Sequence, residues 1–453
     1  MKKHLLVTLL VCVLSFSLTQ SIYASGSAPE GKKGFIVLCH GMAANENILS
    51  IFGLEIIPYF YQVQGWLEDE GWIVYQTGNA VSSWNGAVHK GKLFAQWFYT
   101  ELLPQIDAEW GEEFDMELLK VHIIGHSHGT MYSRYAITNG SGDGYDSNND
   151  QDFDDEGDIP PATSGGYAPL SPYVVSHTSL SGPHRGSTTC DVLDSNQDDI
   201  PKILDDVLAH IDSPLLSDTL AFIDDIIDYV GVELNLINIL TGVISVYDVI
   251  DEQQEIDVNE NAFNLSTYGA NYVFNPAVPN VTGVEYQSWA SAIQGETDVY
   301  GIPWFSPIQH NIWRGINMAF NPTWGYMLDG TSGNKIQNTV DTFEKYSETN
   351  FTYDLYNDTV TSGGHTVALM DLMSGPNDGL VDEESAKWGT YRGLIDGNDS
   401  LCSPSLYPYC GGVDHFQIIN NFLGNTPGFD PEDFWVNDLL PEIETYEDNR
   451  TDV

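Results

Sequence analysis

An apolar run from Leu119 to Ile124 ends at Gly125-His126-Ser127-His128-Gly129, and a helical pattern resumes from Met131 to Ile137. A strand can turn into a helix within so few residues only where small side chains flank the bend, and the apex residue is then left standing above the strand end. Here the apex is Ser127. A serine hydroxyl is a poor nucleophile unless it is exposed, held beside a base and faced by donors for an oxyanion. This placement meets the first need. The pentapeptide alone recurs by chance; the strand before it and the helix after it give it weight.

The rest of the chain repeats the alternation. Gly34 to His40 is a short apolar strand stopped by Gly41, Trp72 to Tyr75 a second, and Tyr173 to Leu180 another beyond the serine. Lys92 to Ile106 carries its apolar residues at helical spacing. Strands that are apolar throughout, separated by helices, predict a mostly parallel central sheet covered by helices on both faces. Three stretches interrupt the pattern: an acidic loop at 139–161, an apolar helical insertion at 191–255 and a mixed insertion at 288–373. No linker marks a boundary, so residues 25–453 read as one domain. In such a sheet the loop after the first strand, His40-Gly41-Met42-Ala43-Ala44, supplies one backbone amide to an oxyanion hole and the residue after the serine supplies the other, here Met42 and His128.

Charge narrows the partners. The chain has 453 residues, with 65 Asp plus Glu against 16 Lys plus Arg, a formal net charge of −49. No basic face can be built from that balance, which excludes nucleic acid as a partner. Acid excess fits adaptation to salt, calcium-binding loops, or both. Met1-Lys2-Lys3-His4, an apolar run from Leu5 to Phe16 and a small residue at Ala24 have the layout of a cleaved signal peptide over 1–24. No other apolar run is long enough to span a bilayer, so no stable membrane insertion is expected. Outside the cytosol disulfides are permitted. Cys402 and Cys410 enclose a seven-residue loop and are the candidate pair, while Cys39 and Cys190 are read either as buried thiols or as a second bridge.

Phe35-Ile36-Val37-Leu38-Cys39-His40-Gly41-Met42 and Ile124-Gly125-His126-Ser127-His128-Gly129 resemble the secreted bacterial triacylglycerol lipases of the Pseudomonas and Burkholderia type, which are alpha/beta-hydrolases. Ser181 to Ser187, Tyr286 to Ala290, Asn377-Asp378-Gly379-Leu380-Val381, Lys387-Trp388-Gly389, Asp414-His415 and Phe429-Asp430-Pro431 match in the family's order. The resemblance implies an alpha/beta-hydrolase fold in which Asp378 orients the imidazole of His415, and His415 takes the proton from Ser127. His184 and His365 are rival bases but precede Asp378. His126 and His128 flank the serine and read as packing or rim. Asp371 and Asp382 are rival acids, more simply solvated loop charges.

The resemblance also implies that 191–255 forms a lid over a water-insoluble ester, passage through the periplasm to the outside, and, as in many relatives, a dedicated folding chaperone. Asn235 to Val246 carries no charge, and the apolar residues upstream alternate with Asp218, Asp224, Asp225 and Asp228 as on an amphipathic helix. A structural calcium is expected, but the family's ligand two residues after the histidine is Gln417 here. Asp354 and Asp358 are conceivable partners for that ion. Two other acidic ladders are candidates: Asp146, Asn148, Asp150, Asp152 and Asp154, and Asp194, Asn196, Asp198 and Asp205, the latter at EF-hand spacing. Three functions compete: a lipase for long-chain acyl esters at an oil–water interface, a carboxylesterase or polyester hydrolase with the same triad, and a non-enzymatic acidic calcium-binding surface protein.

Overall fold

The computed structural model describes residues 28–41, 59–81, 85–155, 157–188, 190–191, 262–292, 333–347, 357–373, 376–378, 380–395, 413, 415, 417–420 and 429–448. Met42, Asp194, Asn196, Asp198, Asp205, Asp354, Cys402 and Cys410 lie outside them, as do the expected signal peptide and residues 192–255.

Six strands form one parallel sheet: β1 (Phe35–Cys39), β2 (Ile73–Gln76), β3 (Val121–His126), β4 (Val174–Leu180), β5 (Glu285–Ser291) and β8 (Thr390–Ile395). Their spatial order is β2-β1-β3-β4-β5-β8, and β6 (Thr359–Ser362) pairs with β7 (His365–Ala368) in a separate antiparallel hairpin. This is the alpha/beta-hydrolase arrangement that the sequence predicts. Strand β5 runs through Ser291, so the stretch assigned to a mixed insertion from residue 288 begins inside the sheet.

Side chains of β1 alternate between two cores because successive residues of a strand face opposite ways. Phe35, Val37 and Cys39 pack with Phe94, Phe98, Val121 and Ile123 on one face; Ile36 and Leu38 pack with Val63, Leu67, Phe434, Trp435, Leu440 and Ile443 on the other. Helices α1 (Val63–Asp69) and α7 (Leu440–Asp448) cover the second face. The first face is covered by α2 (Ala87–Trp97), which passes through a π-turn at Phe98–Leu102 into α3 (Leu103–Trp110). Pro104 has no amide and its ring crowds the carbonyl four residues back, which the widened turn accommodates. Each fully buried aromatic or branched side chain contributes about 1.5–3 kcal/mol, so a sheet covered on both sides is where stability resides.

Chain order and strand order reverse between β1 and β3. From β1 the chain steps outward to β2, then crosses back to β3 and continues through β4, β5 and β8. Cys39 is level with Gly125 in the register, so the carboxyl ends of β1 and β3 open side by side. Such a switch point leaves a crevice where the connections diverge, and sites in open α/β sheets form there.

Candidate active site

Ser127 follows β3 and caps α4 (His128–Asn139) with φ 55° and ψ −130°, a conformation that few non-glycine residues adopt. Two glycines permit it. A Cβ on Gly125 would lie 2.8 Å from the Thr130 backbone, and one on Gly129 would lie 2.2 Å from the Cys39 carbonyl oxygen. The Ser127 amide donates to Leu180 O at 3.0 Å, and Ser127 O accepts from the Thr130 amide and hydroxyl. Within 121–130 every residue is buried except Ser127, which is half-buried. The apex therefore reaches the crevice while its neighbours are locked.

Gly41, at the end of β1, closes one side: a Cβ there would come within 3.0 Å of the Ser127 Cβ. His128 opens α4, whose positive end faces the serine. The His128 ring is buried, and desolvation, with Lys90 and His40 adding to it, holds its pKa well below the ordinary histidine value. A neutral, enclosed ring is packing, so any role of His128 at the oxyanion falls to its backbone amide. The other expected amide, Met42, is outside the described residues.

Asp378 and His415 meet as the sequence order implies. His415 Nδ1 donates to Asp378 Oδ2 at 2.8 Å, and the His415 amide donates to the Asp378 carbonyl at 3.1 Å. Asp378 Oδ1 accepts from the amides of Leu380 and Val381, and Oδ2 accepts from Ser291 Oγ at 3.1 Å. Hydrogen-bond partners on four sides thus fix the orientation of a buried carboxyl group. His415 is brought to the serine's strand: its carbonyl accepts from His126 Nε2 at 2.7 Å, and the two rings lie 4.6 Å apart.

The rivals are occupied elsewhere. His184 bonds Ser179 and Arg134, and His365 bonds the Gly389 carbonyl. Asp371 is exposed; Asp382, expected as a solvated loop charge, is buried and caps α6 (Glu383–Ala386) through the Glu384 amide. Serine–histidine contact is common in this core and is not diagnostic. Ser176–His122–Glu447 even forms a hydroxyl–imidazole–carboxylate line at 2.7 and 3.0 Å, but Ser176 is fully buried at the other end of the sheet. Among the described serines only Ser127 combines the strained bend with access.

Three supporting residues carry no signal in the sequence. Ser291 ends β5 and reaches Asp378; Tyr59 meets His126 Nδ1 at 2.5 Å; Arg185 is buried and donates to the carbonyls of Glu384, Lys387, Ser362 and His365. Arg185 lies in the quoted Ser181 to Ser187 motif, the one hint available. It clasps α6 and the β6–β7 hairpin together just after Asp378.

In the acidic loop, Asp146 turns inward and accepts amides from Asn149, Asp150 and Gln151. Carboxylates of Asp150, Asp152 and Asp155 lie within 4.8 Å of one another, so Asp155 replaces Asp146 and Asp154 in the group that converges. Asn148 donates to Asp150 and Asp155. Gln417 is buried in a 3₁₀ turn, and Asp358 is half-buried, its carbonyl accepting from the Leu369 amide. Cys39 and Cys190 are buried free thiols, not a bridge. No helix among the described residues is long and apolar enough to cross a membrane.

No family model matches the chain, and no curated protein matches it in sequence. Solved structures do. EstA from Clostridium botulinum is 16% identical over 95% of this chain and 90% of its own, with a TM-score of 0.47. Staphylococcus hyicus lipase is 15% identical over 93% and 98%, at 0.48. Lipase 1 from Pelosinus fermentans is 14% identical over 93% and 100%, at 0.45. These neighbours are bacterial lipases and esterases, and they lend no specific support to the Pseudomonas and Burkholderia type. At these identities and TM-scores the likeness assigns neither fold nor chemistry to this chain; the fold rests on the sheet described above, and the chemistry has to come from the site.

Proposed function

We propose that the chain is a serine carboxylic-ester hydrolase. One observation carries the reading: the strained, half-buried Ser127 stands at the switch point of the sheet, and the His415–Asp378 pair is tied to its strand through His126. In this mechanism His415 takes the Ser127 proton as Oγ attacks the ester carbonyl. Asp378 stabilises the imidazolium, and the proton passes to the departing alcohol. Backbone amides of His128 and Met42 would face the oxyanion. Water then releases the acid from the acyl-serine.

The finer reading is a secreted triacylglycerol lipase. It is supported by the resemblance of the sequence blocks and by the apolar 191–255 stretch expected to form a lid. The alternative with the same triad, a carboxylesterase or polyester hydrolase, differs in substrate. Fluorophosphonate labelling and hydrolysis of p-nitrophenyl esters of increasing chain length, with and without an oil–water interface, test both levels. We expect Ser127→Ala to abolish labelling and to lower kcat by at least about 10³-fold. An unlabelled wild type would end the hydrolase reading. Activity confined to short soluble esters would favour the esterase.

Calcium is the cofactor proposed, held at Asp150, Asp152 and Asp155. Hard cations take carboxylate oxygens, and the crowding is visible at Asp152, whose pKa is raised chiefly by the neighbouring Asp154 carboxyl. Titration calorimetry should show binding that Asp150→Asn with Asp152→Asn removes; equal binding by both proteins would refute this site.

A further inference from the structure

The fully buried imidazole of His126, between the strand that delivers Ser127 and the turn that delivers His415, has no role in the proton transfers above. We propose that Tyr59 and His126 are positioning residues: a one-way chain of hydrogen bonds from Tyr59, whose oxygen is seated against Gly41, through His126 to the His415 carbonyl sets the catalytic histidine in register with the serine. The proposal rests on the hydrolase reading and adds to it two residues that touch no substrate.

The direction of the chain follows from what each atom can do. The His415 carbonyl can only accept, so His126 Nε2, 2.7 Å away, carries the proton. Desolvation, reinforced by the nearby His415, holds the His126 pKa well below its ordinary value, so the ring is neutral. Nδ1 then has a lone pair and accepts from the Tyr59 hydroxyl at 2.5 Å. The Tyr59 oxygen is itself seated against Gly41, where a Cβ would meet it at 2.5 Å. Gly41 ends the strand beside the oxyanion loop, His126 precedes the nucleophile, and His415 is the base. One chain therefore spans the three segments whose relative placement decides catalysis.

Two consequences distinguish positioning from mere packing. His415 has its ring and its amide on Asp378 and its carbonyl on His126, so His126 links the base to the strand that carries the nucleophile. A neutral His126 also adds no charge beside His415 when that ring takes the serine proton; a cation 4.6 Å away would oppose it.

The test uses the full chain and three variants: Tyr59→Phe, His126→Leu and His126→Gln. Tyr59→Phe removes one donor and frees the imidazole to change tautomer, so kcat on a soluble ester should fall about fivefold, the size of one neutral hydrogen bond, with KM unchanged. His126→Leu should cost kcat about a hundredfold through misplacement of the base. His126→Gln can still donate to the carbonyl and accept from Tyr59, and should recover most of that loss. The downfield proton resonance of the His415–Asp378 bond, followed by NMR, should be sharp in the wild type, broadened in Tyr59→Phe and lost in His126→Leu. Variants that keep kcat and the resonance while losing only thermal stability would overturn the proposal. A wild type inactive on every ester would sink the hydrolase reading instead, and the resonance would still decide whether the chain holds His415.

Discussion

At the scale of single residues, the acid is as carefully built as the nucleophile. Asp378 accepts from two amides, a serine hydroxyl and the imidazole, and Ser291 Oγ also meets Ser181 Oγ at 2.6 Å. Ser291 thus helps to keep the carboxyl group aimed. We expect Ser291→Ala to lower kcat about threefold to tenfold with KM unchanged, measured on a soluble ester; an unchanged kcat would make the contact incidental. The bend at Ser127 was legible in the sequence because it needs glycines at fixed spacing, and the meeting of Asp378 with His415 because the family resemblance and its chain order ranked the partners. Ser291, Tyr59 and His126 were not legible as supports. Their partners lie 87, 67 and 289 residues away, and nothing local records such a distance.

At the scale of elements, strands were the easiest to read. β1, β3 and β4 are buried at every position, and apart from His122, His126 and His177 they are apolar or small along their length, so they stand out from the helices between them. Boundaries were less legible. The helix expected over 92–106 runs from Ala87 to Trp110 with a π-turn, and the mixed insertion was begun inside β5. Tertiary packing, not local preference, sets both limits. Arg185 shows how elements are held once formed: one guanidinium ties α6 and the β6–β7 hairpin through four carbonyls. Arg185→Met should destabilise the fold by about 2–4 kcal/mol, because it removes four hydrogen bonds to part-buried carbonyls, and should lower kcat through the Asp378 loop. Urea unfolding and ester kinetics on one preparation check both; unaltered kcat in a destabilised variant would separate the clasp from the site.

At the scale of the whole molecule, burial of neutral histidines links folding to pH. Desolvation pushes His40 and His177 down to about 3, and His126, His128 and His184 shift the same way. Below pH 6.5 the unfolded chain binds protons that the folded one refuses. Stability is therefore full above about pH 6.5 and falls as pH drops toward 3, by about 1.4 kcal/mol per pH unit for each such histidine. Carboxylates stay largely ionised above pH 5, so urea unfolding between pH 7 and 5 isolates the effect. His177→Gln, which can keep the Ser133 contact, should reduce the slope by about one proton; an identical slope would exclude His177 as a contributor. The two ends of the described chain also meet beneath the sheet. Lys33 pairs with Glu444 at 2.7 Å, and His122 with Glu447 at 3.0 Å, so α7 completes the base of β1 and β3. A polypeptide emerging from the ribosome consequently carries its alcohol long before its imidazole, and its first strand long before the helix that seals it. Until residue 415 and α7 have both been made, neither the imidazole nor the seal beneath the first strand is in place.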